Sequence, residues 1–265
     1  MDTIIESYIG KDTLSPTNLT YATYTVLIAT SLIAILLLRS ITSALFSSKK
    51  TKGTKHVLLV GPEKTGKTVL TNVLITGTKP HHDTVTSMTP TQRSSLVNGN
   101  RLTLTDFPGS SQARNCSLDD QLAAAAGVVF VIDGRFGSMT DEARASAALM
   151  KRVLINGTFR GRKIPILVAF NKMDLITDTV QIGDTLKSSE WLRKHKDLLQ
   201  RELDGIKEEM LTSTGASSGA SYQLGTEQAF EFEMDVESTV SFCCCTTETG
   251  REGVQDVLNF CTACL

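Results

Sequence analysis

Eight consecutive residues, Gly61-Pro62-Glu63-Lys64-Thr65-Gly66-Lys67-Thr68, fit the pattern G-x-x-x-x-G-K-[ST] without a mismatch. Their types suit one task, cradling a polyphosphate. Gly61 and Gly66 admit backbone shapes and close approaches that a Cβ would block. The N–H groups from Gly61 to Val69 are then free to point at phosphate oxygens, and the dipole of a following helix adds attraction. Lys67 is placed to reach the outer phosphates and Thr68 to offer a hydroxyl to Mg²⁺. The pattern alone does not choose between ATP and GTP.

The choice comes from Asn171-Lys172-Met173-Asp174, which follows an apolar run at 164–170. A carboxylate such as Asp174 accepts from both guanine N1–H and N2–H₂. Adenine presents a lone pair at N1, and a mismatch of that kind discriminates strongly in a buried site. Asn171 and Lys172 would fix the loop and cover the base face. Two further segments complete a nucleotide site. Asp106-Phe107-Pro108-Gly109 matches D-x-x-G, in which the Asp serves Mg²⁺ through water and the Gly N–H meets the γ-phosphate. Between the phosphate loop and Asp106 runs Thr84-Val85-Thr86-Ser87-Met88-Thr89. One Thr here is expected on Mg²⁺; Thr86 is the first choice and Thr89 the alternative. Such segments order around the γ-phosphate and relax without it. Efficient GTPases position the attacking water with a Gln directly after D-x-x-G. That place holds Ser110, with Gln112 two residues on, so slow intrinsic hydrolysis is expected. Asp133 reads as a cap at a strand end, not a catalytic acid.

These residues need a sheet edge to bring them together. Strands are expected at 56–60, 94–97, 102–105, 128–132, 164–170 and 239–244. Asn98-Gly99 is a strong hairpin signal, so the second and third strands should be antiparallel neighbours. The other strands are separated by helix-length segments, which implies right-handed crossovers and a mainly parallel sheet. Helices are expected at 68–75, 140–155, 188–211 and 253–264 from their apolar spacing. The expected architecture is therefore α/β, a six-stranded, mostly parallel sheet with one antiparallel hairpin strand, flanked by helices. The small, polar stretch 212–226 reads as a flexible insertion within this domain at 56–265.

Composition bounds the rest. The 265 residues carry 27 basic and 28 acidic side chains, so no overall attraction to nucleic acid is implied. The six cysteines, three of them consecutive, do not suggest a disulfide framework in so long a chain. Cys261 and Cys264 form one C-x-x-C, short of a structural zinc set. Residues 19–38 contain no charged side chain, and a helix of that length spans about 30 Å, the thickness of a bilayer core. Tyr21 and Tyr24 suit the interface. The acidic start, with Asp2, Glu6 and Asp12, argues against a signal peptide and for a retained transmembrane helix. Arg39, Lys49, Lys50, Lys52 and Lys55 follow it. By the positive-inside rule they place the 39–55 tether and the later domain in the cytosol, and residues 1–18 across the membrane.

The boxes in this order resemble the P-loop small GTPases of the Ras, Arf and Sar type. Closer still, the chain resembles the β subunit family of the signal recognition particle receptor, which has one N-terminal span and then an Arf-like GTPase domain. The matching segments include TVTS at 84–87, LTLTDFPG at 102–109, LLQRELDGIK at 198–207 and FEFEMDVEST at 230–239. The run Cys245-Thr246-Thr247-Glu248 resembles that family's C-S-A-K base loop. By that match Thr247 would supply an N–H to guanine O6, with Thr246 beside it, and Glu248 departs from the family's Lys. The resemblance implies GTP and Mg²⁺ as cofactors and the endoplasmic reticulum membrane as location, with the N-terminus lumenal. It implies the N-terminal domain of the receptor's α subunit as the GTP-dependent partner, with the ribosome and translocon further along. It implies no sequence-specific nucleic acid contact. The alternatives are an Arf- or Sar-like trafficking GTPase and an ATP-using membrane accessory.

Overall fold

The computed structural model describes residues 29–31, 56–81, 87–97, 99–110, 118–135, 140–176, 185–213, 224 and 229–265. The chain divides into two compact units, Met1–Gly53 and Thr54–Leu265. Of the first unit only residues 29–31, a piece of helix, are described. The expected span at 19–38 and the tether at 39–55 thus lie almost wholly outside the described residues. Among the described residues, no helix is long and apolar enough to cross a membrane.

The second unit is built on one six-stranded sheet. Its strands are β1 (His56–Val60), β2 (Thr91–Val97), β3 (Asn100–Asp106), β4 (Ala125–Asp133), β5 (Ile166–Asn171) and β6 (Val240–Cys244). The order is β2-β3-β1-β4-β5-β6. Only β2 and β3 pair antiparallel, with Val97 opposite Asn100 across the expected Asn98-Gly99 turn. The remaining pairs are parallel.

Parallel strands covered on both faces should be apolar at every position. β1 obeys this from Val57 to Val60, and the polar His56 that precedes them is buried as well. Val57 and Leu59 join one apolar layer and Leu58 and Val60 the other, as the period of two demands. The first layer packs on α1 (Lys67–Thr76), through Leu70, Val73 and Leu74, and on α7 (Gln255–Ala263), through Val257 and Leu258. The second packs on α2 (Leu118–Ala124), α3 (Thr140–Leu154), α4 (Gly157–Arg162) and α5 (Thr185–Ser213). A fully buried Leu or Val contributes about 1.5–3 kcal/mol, so these two layers carry the stability that holds the loops at the sheet's edge.

Three short helices were not expected from periodicity: α2, α4 and α6 (Phe232–Asp235). α2 runs straight into β4 through consecutive alanines, with no turn residue to mark the change. α4 rests on its cap: the Asn156 side chain accepts from the Thr158 and Phe159 N–H groups at 2.9 and 3.0 Å. The stretch read as an insertion is part of the fold at its margins. α5 extends to Ser213, and Leu224 is buried in the second layer.

Candidate nucleotide-binding site

The turn from β1 into α1 forms the floor of a cavity of about 240 Å³, lined among others by Glu63, Lys64, Lys67, Thr68, Asp106 and Lys172. α1 begins at Lys67 behind Gly66, whose φ of 87° is left-handed. The loop is braced from within: Thr65 Oγ1 donates to the Pro62 carbonyl at 3.0 Å, and Lys67 Nζ donates to the same oxygen. Val69 and Gly66 also face the cavity. Gly109 presses on the loop, and a Cβ there would stand 2.7 Å from the Glu63 nitrogen and 2.8 Å from Lys67 Nζ. The D-x-x-G segment therefore touches the phosphate loop through a residue that must lack a side chain. Ser110, next to it, is buried.

At the cavity's inner end, Thr68 Oγ1 donates to Asp106 Oδ2 at 2.6 Å. Ser87 Oγ donates to the same oxygen at 3.3 Å and lies 3.4 Å from Thr68 Oγ1. Asp106 is 2 % exposed, and its Oδ1 has no hydrogen-bond partner among the described residues. A buried carboxylate oxygen without a partner is costly unless a cation or its water completes it. Three oxygen-bearing side chains and no sulfur or imidazole make a hard-cation donor set, so these residues fit Mg²⁺. Thr84, Val85 and Thr86 lie outside the described residues. Thr89 is exposed, and its carbonyl accepts from Thr91 Oγ1 at 3.4 Å.

The second half of the site comes from β5 and β6. Asn171 ends β5, and its Nδ2 donates to the Thr65 carbonyl at 3.0 Å, tying the two loops together. Its Oδ1 accepts from Cys245 Sγ at 3.7 Å. Lys172 is left-handed, with φ 63°, and its Nζ donates to the Lys64 carbonyl and, at 2.9 Å, to Asp133 Oδ2. Asp174 is exposed and accepts from the Thr246 hydroxyl. The Thr246 N–H donates to the Gly253 carbonyl at 3.0 Å. Thr247 is buried, and its carbonyl accepts from the Gly250 N–H at 3.4 Å. Glu248 pairs with Lys79 beyond the end of α1.

The five described cysteines are free. Burial pushes the Cys244 thiol up to about 11, and pushes those of Cys243, Cys245 and Cys261 up as well, so they are packing groups rather than nucleophiles.

Residues 52–235 match the family model described as the signal recognition particle receptor beta subunit. The chain belongs to that family. A curated relative, the signal recognition particle receptor subunit beta of Dictyostelium discoideum, is 30% identical over 223 residues, covering 78% of this chain and 71% of the relative. The structure of the mammalian SRP receptor aligns with a TM-score of 0.63 and 28% identity, over 80% of this chain and 100% of that one. The SRb-GTP/SRX complex from Chaetomium thermophilum aligns with a TM-score of 0.58 and 21% identity, over 78% of this chain and 96% of that one. At that identity the second likeness speaks to the fold alone.

The residue that motif reading undervalued is Asp133. It does more than cap a strand. β4 and β5 pair with Asp133 opposite Asn171, which sets its carboxylate beside the base loop. Arg135 grips it with the backbone N–H, Nε and Nη2 at 3.0, 3.0 and 2.9 Å, and Lys172 takes the remaining approach to Oδ2. Burial pushes this carboxyl up, but the bonds from Arg135 and Lys172 outweigh it and hold it down at about 2. The signal available in sequence was its position: an acid ending an all-apolar strand, at the sheet edge where ligands bind.

A depressed folded pKa stabilises the fold above the ordinary value of 3.8, and that contribution disappears as pH falls through about 2. The stability advantage of the wild type over Asp133→Asn is therefore expected to shrink by about 2 kcal/mol between pH 5 and pH 2. Urea unfolding across that range measures it. An advantage that stays constant would mean the carboxylate is not held ionised.

Proposed function

We propose that the 56–265 domain binds GTP with Mg²⁺ and, in that form, holds the N-terminal domain of the receptor's α subunit at the endoplasmic reticulum membrane. The observation that carries the reading is the convergence of two loops far apart in sequence. Asn171 of the base loop bonds the Thr65 carbonyl of the phosphate loop, while Asp174 and Thr246 are bonded to each other beside it. In this arrangement residues 61–69 and Gly109 take the phosphates. Asp174 and the Thr247 N–H read the guanine, with Asn171, Lys172 and Thr246 holding their loops in place. Thr68 and Asp106 hold Mg²⁺, which when bound neutralises phosphate charge, and Ser87 supports Asp106. Thr84, Val85 and Thr86 would close over the γ-phosphate, with Thr86 or Thr89 completing the metal's ligands. Family membership supports the α subunit as partner. The uncharged 19–38 run, followed by basic residues, supports a single-pass anchor with residues 1–18 in the lumen and the domain in the cytosol, in reach of ribosome and translocon.

The test is retention of a larger partner from detergent extract by the full chain loaded with GTP or with GDP. Retention with GTP only supports the reading; equal retention with both nucleotides removes the switch. Fluorescent GTP and ATP titrations decide the base.

Hydrolysis is expected to be slow, because Ser110 lacks the amide that orients the attacking water. Single-turnover measurement should place the wild-type rate at or below that of ordinary unstimulated GTPases. Ser110→Gln should raise it about tenfold. A fast wild-type rate, unaltered by that substitution, would show that another group positions the water.

A further inference from the structure

We propose that Asp133 is a positioning residue for the nucleotide: it holds Lys172, and through Lys172 the Lys64 carbonyl, so that the base loop and the phosphate loop keep one spacing. This rests on the reading that the cavity binds a nucleotide between those loops.

The geometry is a relay. Asp133 Oδ2 accepts from Lys172 Nζ at 2.9 Å, and the same ammonium donates to the Lys64 carbonyl. Lys172 and Lys64 are both left-handed, with φ 63° and 62°. Left-handed backbone at a residue with a side chain is strained and persists only where neighbours impose it. Here one strained lysine reaches back to the other. The adjacent carbonyl, that of Thr65, is taken by Asn171 at 3.0 Å. Two successive carbonyls of the phosphate loop are thus held by two successive side chains of the base loop. Each of those two side chains meets a third group: Asn171 Oδ1 accepts from the Cys245 thiol at 3.7 Å, and Lys172 is held by the Asp133 carboxylate at 2.9 Å, the one charged partner of the two.

That charged partner is built for the purpose. The Asp133 carboxylate is 8 % exposed, and its rotamer is set by the bidentate Arg135 guanidinium. Its Oδ2 is shared by Arg135 and Lys172, each at 2.9 Å. Removing its charge leaves two cations around one neutral group, and the more flexible of them, the Lys172 ammonium, has reason to leave. The Gly134 N–H, 2.6 Å from the Asn171 carbonyl, fastens the same strand end to the base loop through the backbone. A carboxylate engaged with two cations gives up no proton to a substrate, so the role is positional rather than catalytic.

The test is a double-mutant cycle on release of a fluorescent GDP analogue from the full chain. Asp133→Asn and Lys172→Met are each expected to speed release about tenfold. The double variant should release about tenfold faster too, because one relay is lost in all three. Release about a hundredfold faster in the double variant, or release from Asp133→Asn at the wild-type rate, would overturn the proposal. A drop in melting temperature with no change in release would do the same. Asp133→Glu keeps the charge and serves as the conservative variant. Release within about threefold of the wild type supports a charge-held relay, and release as fast as from Lys172→Met overturns it. If the wild type prefers an adenine nucleotide, the cycle is run with a fluorescent ADP analogue. Coupling between the two positions then upholds Asp133 while the guanine reading falls, and its absence overturns both.

Discussion

Asp174→Asn is expected to lower GTP affinity at least about 10³-fold while raising affinity for xanthosine triphosphate. In the proposed site the carboxylate would accept from two guanine donors at once, and the amide would replace one acceptor with a donor that faces N2–H₂. Polar mismatches in a site built for a hydrogen bond cost this much or more. Xanthine carries a carbonyl at the same place and accepts from the new amide. The substitution should leave the fold alone. Asp174 is exposed, and its bond from the Thr246 hydroxyl is one that the Asn side-chain oxygen can also accept. Titration with both fluorescent triphosphates, beside a melting curve, measures the switch. GTP affinity equal to the wild type would remove Asp174 from the base-reading role.

Gly61→Ala is expected to cost about 3 kcal/mol or more, lowering the melting temperature by roughly 6–12 °C for a domain of this size. A Cβ on Gly61 would stand 2.1 Å from the Val131 carbonyl oxygen, a backbone atom of the neighbouring strand that cannot step aside. β1 and β4 pair through Val60 and Phe130, just before this point, and their last rung must open to admit the methyl. The phosphate loop starts there, so nucleotide binding should fail at temperatures where the domain is still folded. Melting followed through the single tryptophan, Trp191, which stacks on His195, gives the first effect. Nucleotide titration well below the midpoint gives the second. A variant that melts with the wild type would mean that the strand end yields at little cost.

Much of the candidate site could be proposed from sequence because the motifs for phosphate and base recognition are contiguous. Gly61–Thr68, Asp106–Gly109 and Asn171–Asp174 each lie within a few positions, and each follows a strand of the sheet. The hairpin was readable for a similar reason, since a two-residue Asn-Gly turn brings β2 and β3 into register with no help from elsewhere. The short helices were not. α4 exists because of a cap, and α2 because the sheet and its helices enclose it; neither has enough length to show a period.

The amino-acid order by itself pointed to the kind of ligand, a guanine nucleotide, because the motifs that suggest it are local. Tertiary structure decided how the pieces depend on one another. Asn171 meets Thr65 across 106 residues, Lys172 meets Lys64 across 108, and Glu248 meets Lys79 across 169. Asp133 illustrates the difference. As a letter it is an acid at the end of a strand, suited to capping. Only the register of β4 on β5, with Asp133 beside Asn171, turns it into the group that aims Lys172 at the phosphate loop. Register across a parallel sheet is set by the packing of both its faces, and no short stretch of sequence contains that information.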